Sequence, residues 1–167
     1  MARITFLAAL LAACTSISFA LPQGQEPMQV ASDKWHWSTC STDVPLHITS
    51  IDVSPDPPKP GEDMTVTVKG YTDEEIKEGA YADVVVKVGR IKILQKEFDI
   101  CEEARNANAS IQCPVSKGDH EIVHTVPLPK EIPPAPFNVH IDGYTVDDED
   151  LLCLDLSIDF RKRPFLA

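Results

Sequence analysis

From Leu46 to Phe160 the chain alternates apolar and polar residues with a period of two, and the runs are broken by proline, glycine and acidic clusters. Side chains alternate faces along a strand, so each run has one half-buried face, and a helix with its period of 3.6 cannot satisfy the pattern. Leu46 and Ile48, then Ile51 and Val53, alternate with polar partners, and the slip of phase at Ser50 predicts a bulge. Ser54-Pro55-Asp56-Pro57-Pro58-Lys59-Pro60-Gly61 reads as a rigid turn. Met64, Val66 and Val68 resume the alternation, Val84, Val86 and Val88 share one face of the next run, and Ile91 to Phe98 continue after Gly89. Glu121 to Leu128, Phe137 to Val146 and Leu151 to Phe160 are the last three strands expected. Only Asp73 to Gly79 has brief helical character, and Glu102 to Gly118 reads as a polar loop. The expected fold is all-β, an antiparallel β-sandwich of seven to eight strands in two sheets.

The N-terminus places Arg3 before an apolar stretch from Ile4 through Ala13 and small residues ending Ser18-Phe19-Ala20. That order predicts a secretory signal peptide over residues 1 to 20, cleaved after Ala20. The apolar run is shorter than the roughly 20 residues that span a bilayer. Residues 21 to 39 read as a flexible mature N-terminus and 40 to 167 as one folded domain, with a monomer expected. Losing Arg3 with the leader takes the formal charge from -11 to -12. So acidic a surface argues against nucleic acid as partner and gives no general attraction to anionic membranes, so membrane contact would be local and transient.

Cys14 falls in the leader, which leaves Cys40, Cys101, Cys113 and Cys153, an even number in an exported chain and hence a two-disulfide framework. Three pairings are open. The favoured one joins Cys101 to Cys113 around a short polar loop and Cys40 to Cys153 across the domain. No C-x-x-C spacing supports a metal site, and no cofactor is expected. Asn108-Ala109-Ser110 is a glycosylation sequon on the polar loop.

One motif competes with a binding role. His120-Glu121-Ile122-Val123-His124 matches H-E-x-x-H, in which two histidines one helical turn apart hold zinc and the glutamate activates water. The segment is β-branched and runs into Val126-Pro127-Leu128-Pro129, which cannot continue a helix. On a strand the two histidines would stand about 13 Å apart, too far for one ion. A zinc hydrolase and a non-lipid recognition sandwich are therefore alternatives, and no catalytic residues are assigned. Asp147-Asp148-Glu149-Asp150 reads as a solvated hairpin turn, and Trp35-His36-Trp37 as either a membrane anchor or aromatic cover on the sandwich.

Cys40, the proline-rich turn from Ser54 to Gly61, Asp99-Ile100-Cys101-Glu102, Cys113-Pro114-Val115, Ile132-Pro133-Pro134, and Tyr144-Thr145-Val146-Asp147-Asp148 before Cys153 occur in an order that resembles the ML lipid-recognition domain family. The similarity spans about residues 38 to 160 and is greatest to the fungal phosphatidylglycerol/phosphatidylinositol transfer branch, relatives of the secreted Niemann-Pick type C sterol carrier. It implies an immunoglobulin-like sandwich with an internal lipid cavity, the cysteine pairing favoured above, a phospholipid or sterol ligand, no enzyme activity, and a vacuolar, lysosomal or secreted location. The animal sterol carriers have a further close cysteine pair after the first cysteine, and this chain has none.

On that resemblance, the inward face of the strands would form the cavity through Val66, Val68, Val84, Val86, Val88, Ile122, Val139, Ile141, Leu152, Leu154 and Leu156. The family's entrance loops fall at Ile93 and Leu94 on one side and Leu128, Ile132 and Pro133 on the other. Beside them lie Lys87, Arg90, Lys92 and Lys96 with no carboxylate between Val84 and Lys96, a basic exception expected to meet a headgroup or an anionic leaflet.

Overall fold

A computed structural model describes residues 34–161. The expected leader, residues 21 to 33 and Cys14 lie outside the described residues. Eight strands and one short helix follow one another: β1 (Trp35–Thr39), β2 (Leu46–Ser54), β3 (Asp63–Thr72), β4 (Tyr81–Val88), β5 (Ile91–Asp99), α1 (Ile100–Asn106), β6 (Gly118–Pro127), β7 (Pro136–Tyr144) and β8 (Asp150–Asp159). They form two antiparallel sheets, of five strands in the order β1-β8-β7-β4-β5 and of three in the order β2-β3-β6. Among the described residues no helix is long and apolar enough to cross a membrane.

The strands expected from alternation are present, and the bulge falls where the phase slips, between Ile48 and Ser50 of β2. It presses β2 against its neighbour: a Cβ on Gly70 would lie 2.4 Å from the His47 carbonyl oxygen, so β3 needs glycine there. Strands β4 and β5 join through Gly89-Arg90, with Gly89 at φ +58, a two-residue turn that needs glycine first. The acidic segment after β7 is the hairpin turn expected: the Thr145 hydroxyl accepts from the Asp147 and Glu149 amides, and Asp148 accepts the Tyr81 hydroxyl at 2.9 Å. That carboxylate pushes the Tyr81 phenol up to about 12.

Three expectations need correction. Trp35–Thr39 is not part of a flexible N-terminus but an edge strand on β8, held because Trp35 buries its indole to 5 % exposure in the core. Asp73 to Gly79 is not helical, because Ile76 is drawn into a second core cluster with Ala80 and Leu151 and exchanges two backbone hydrogen bonds of 2.9 Å with Val115. The helix lies instead at the start of the stretch read as loop. Asp99 caps α1 by accepting from the Glu102 amide at 2.7 Å, and Cys101 on its buried side is fully enclosed.

Both disulfides have the favoured pairing. Cys40–Cys153 ties the end of β1 to β8 with Cα atoms 5.1 Å apart, and Cys101–Cys113 anchors α1 to the following loop at 5.5 Å. The first spans 113 residues of sequence and the second 12, so the first restricts the unfolded chain more. Replacing Cys40 and Cys153 together by serine should lower the unfolding free energy by about 4–5 kcal/mol, and replacing Cys101 and Cys113 by about 3 kcal/mol. Urea titration of the two variants checks the ranking, and equal losses would contradict it.

Candidate functional site

The registers sort side chains onto the faces of each sheet. In the large sheet, three rows run inward from the β5 edge: Ile91–Val88–Phe137–Ile158–Trp35, Leu94–Val86–Val139–Leu156–Trp37 and Lys96–Val84–Ile141–Leu154–Thr39. In the small sheet the facing rows are Val53–Val66–His124, Ile51–Val68–Ile122 and Ile48–Gly70–His120. These are inner faces because Trp35, Ile51 and Leu154 meet in one core cluster, with Trp37, Ile48, Val53, Val66, Val68, Ile141, Leu152, Leu156 and Ile158 packed against it.

The two sheets come closest where β2 passes β8. That side is closed by two tryptophans, isoleucines and leucines. Toward the β4–β5 edge the large sheet presents mainly valines on its inner face. Of the residues expected to line a cavity, Val66, Val68, Ile141, Leu152, Leu154 and Leu156 thus belong to the packed side. Val84, Val86, Val88 and Val139 share the inner face, are half-buried and join neither core cluster, and Ile122 is 37 % exposed. The inward side chains thus fall into two groups: those packed along β1, β8 and β2, and half-buried valines of β4 and β7 that belong to neither cluster.

The residues expected at a mouth gather at one end of the sandwich. The Gly89 amide donates to the Pro136 carbonyl at 3.4 Å, and Leu128 exchanges backbone hydrogen bonds with Gly61 and Glu62, so the β4–β5 turn, the β6–β7 connection and the proline-rich turn share that end. Ile91, Ile93 and Leu94 are 71 %, 54 % and 40 % exposed, Pro133 is exposed, and Leu128 and Ile132 are half-buried. A shift of register between Val86 and Lys87 makes Ile93 the bulged residue. It also divides the basic stretch. Lys87 and Lys92 pair across the hairpin on the outer face, Lys92 donating to Gln95, and Arg90 sits at the turn. Lys96 belongs to the inner face, its ammonium 4.4 Å from the centre of the Phe98 ring.

His120 and His124 lie four apart on β6, a strand, so the H-E-x-x-H string makes no metal clip. Both point to the inner face, while Glu121 points outward to Lys69, 3.6 Å away. Periodicity could have placed the histidines there, because they keep phase with Ile122 and Val126. Trp35-His36-Trp37 is aromatic cover: Trp35 is in the core and Trp37 packs on it.

The outer face of the large sheet carries one polar cluster that sequence did not signal. His140 on β7 bonds Asp155 through Nδ1 at 2.8 Å and Asp142 through Nε2 at 3.0 Å. A ring nitrogen also comes within 4.8 Å of the Cys40 and Cys153 sulfurs, which are bonded to each other and so offer no thiolate to a metal. Hydrogen bonding to Asp155, set against partial burial and reinforced by Asp142, raises the His140 pKa above its ordinary 6.5. A raised folded value stabilises the fold below the unfolded value and loses that stabilisation as pH climbs through the folded one. His140→Asn should therefore destabilise by about 0.5–1 kcal/mol at pH 5.5, discounted for its exposure, and by less at pH 8. Paired thermal melts at the two pH values check this, and a cost that grows with pH would refute it.

Two antiparallel sheets packed through the Trp35–Ile51–Leu154 cluster define an immunoglobulin-like β-sandwich. The family model of the ML domain matches residues 34–160, and the chain belongs to that family. A phosphatidylglycerol/phosphatidylinositol transfer protein of Cryptococcus neoformans var. neoformans serotype D is 54 % identical over 146 residues, covering 86 % of this chain and 80 % of the relative. One of the same description from Mycosarcoma maydis is 54 % identical over 130 residues, covering 77 % and 67 %. Among solved structures, a Niemann-Pick type C2 protein from the Japanese carpenter ant superposes with a TM-score of 0.57 at 16 % identity, over 74 % of this chain and 98 % of that one. That likeness is one of fold.

Proposed function

We propose that this chain carries a phospholipid, phosphatidylglycerol or phosphatidylinositol, with sterol as the second choice of ligand, between membranes and catalyses no reaction. The observation that carries the reading is a set of inward apolar residues left over by the core: Val84, Val86, Val88, Val139 and Ile122 face inward but stay outside both packed clusters. A carrier must offer an acyl tail as good an apolar environment as the bilayer, at about 0.8 kcal/mol per buried methylene. A tail of about 16 carbons is then worth on the order of 12 kcal/mol, which needs a long, aliphatic and unfilled inner face. The names of the relatives support the same class of ligand. Mass spectrometry of an organic extract of the purified native protein tests it: stoichiometric phospholipid or sterol is expected, and lipid-free protein that takes up none from vesicles would end the proposal.

In this reading Ile91, Ile93 and Leu94 dip into the leaflet at the open end, with Arg90, Lys87 and Lys92 on its phosphates, while the acidic remainder lets the protein leave again. The protein works as a monomer in the secretory pathway, in a vacuolar or lysosomal lumen or outside the cell, which its two disulfides and leader-like N-terminus support. Exposed Asn108, at φ +49 beyond α1, would carry a glycan away from the open end. Arg90→Glu with Lys92→Glu should slow transfer from anionic vesicles about tenfold at low salt and spare zwitterionic ones, each charge being worth about 1 kcal/mol near the surface. An unchanged rate with unchanged salt dependence would reduce these cations to protection of an edge strand.

A further inference from the structure

The connections between strands gather at two ends of the sandwich, and the two ends differ in charge. At one end lie α1 and the connections 40–45, 73–80, 100–117 and 145–149. They hold ten carboxylates against three cations, Lys77, Arg105 and Lys117. At the other end lie the proline-rich turn 55–62, the Gly89-Arg90 turn, the connection 128–135 and the residues just outside β1 and β8. There the three carboxylates Asp56, Glu62 and Glu131 are outnumbered by the five cations Lys34, Lys59, Arg90, Lys130 and Arg161. Each end joins both sheets. At the acidic end Leu46 of β2 packs with Ile100 and Leu151 around the second core cluster. At the basic end the connection 128–135 crosses from β6 to β7, and the Lys130 stem lies over Gly61, where an added Cβ would meet its Cγ at 2.7 Å.

In a chain of net charge -11, the basic end is thus a local positive pole. Strands of nine or ten residues hold the two poles about 30 Å apart at roughly 3.3 Å per residue. The Debye length is about 8 Å at roughly 0.15 M salt and about 30 Å at roughly 0.01 M. An anionic surface at the basic pole is therefore screened from the acidic one at physiological salt and exposed to it in dilute buffer. Contact through a sheet face has no such protection. The outer face of the large sheet carries Asp83, Asp142 and Asp155, and that of the small sheet Asp52, Asp119 and Glu121.

We propose that the sandwich docks end-on against an anionic bilayer, with α1 pointing away and the leaflet touching turns from both sheets, Lys130 as well as Arg90. Separation of the poles, rather than net charge, is what permits the contact. The exposed Ile91, Ile93 and Pro133 stand at the same pole and enter the interface. The inference rests on the carrier reading for its partner and adds to it the orientation of the carrier and the range of the forces that set it.

The test uses the whole folded protein and measures co-sedimentation with vesicles of mixed phosphatidylglycerol and phosphatidylcholine at the two ionic strengths. Glu74→Gln, Glu75→Gln, Asp147→Asn and Glu149→Gln together neutralise exposed carboxylates around one shallow groove at the acidic pole. This variant should bind on the order of tenfold more tightly than wild type at about 0.01 M salt and equally at about 0.15 M. Lys130→Glu and Lys117→Glu change the net charge by the same amount at opposite poles, both at exposed positions. At about 0.15 M the first should weaken binding on the order of tenfold and the second should leave it intact. A gain by the quadruple variant at both ionic strengths would put the acidic pole at the membrane, and no gain at either would deny the poles a role. Equal losses for the two lysine variants would make net charge the cause. Each of these overturns end-on docking, as would failure of wild type to bind at about 0.15 M. Binding needs no lipid inside the protein, so docking can fail while an organic extract still contains lipid. A lipid-free extract from protein that docks as expected, and takes up no lipid, would bring down the carrier reading alone.

Discussion

The contact of Trp35, Ile51 and Leu154 is what the rest of the structure leans on. These residues come from β1, β2 and β8, so one small cluster joins both sheets, and Cys40–Cys153 locks β1 beside it. It is not a fully satisfied cluster: the Trp35 indole N–H is buried with no partner among the described residues, at a cost of about 1–3 kcal/mol. Large aromatic and aliphatic side chains concentrated on one side hold that side shut. The valines toward the β4–β5 edge lie outside this cluster.

A second cluster works at one end of the sandwich. Ile76, Ala80 and Leu151 are buried with Leu46, Ile100 and Val115 around them, and α1 and its disulfide cover that end. The exposed Ile91, Ile93 and Leu94 lie on the β4–β5 hairpin, outside both clusters. The outer face of the large sheet carries the His140–Asp142–Asp155 network, which strengthens pairing of β7 with β8 without touching the interior.

The proline-rich turn, the bulge in β2, the hairpin at Gly89-Arg90 and the acidic turn before β8 were all legible, because each rests on local backbone chemistry that a few residues specify. The helix α1 was overlooked although a local signal existed. Asp99 followed three residues later by Glu102 is the capping-box spacing, but seven residues are too few to display a helical period. Trp35 to Thr39 was unreadable as a strand for the opposite reason: its partner β8 is more than a hundred residues away, and only that pairing makes it one.

By itself, then, the sequence determined the layers, because a period of two dictates which side chains of a strand share a face, and its even number of cysteines in the folded segment offered two covalent ties. It did not decide which inward residues pack and which line open space. Val68 and Val86 are equivalent as letters, yet the first lies against the core cluster and the second does not, because only the assembled sheets fix the distance between layers. Nor could it separate Lys96 from Lys87 and Lys92. One bulged residue opposite the step from Val86 to Lys87 resets the phase of β5, sending the latter pair outward and leaving Lys96 on the inner face.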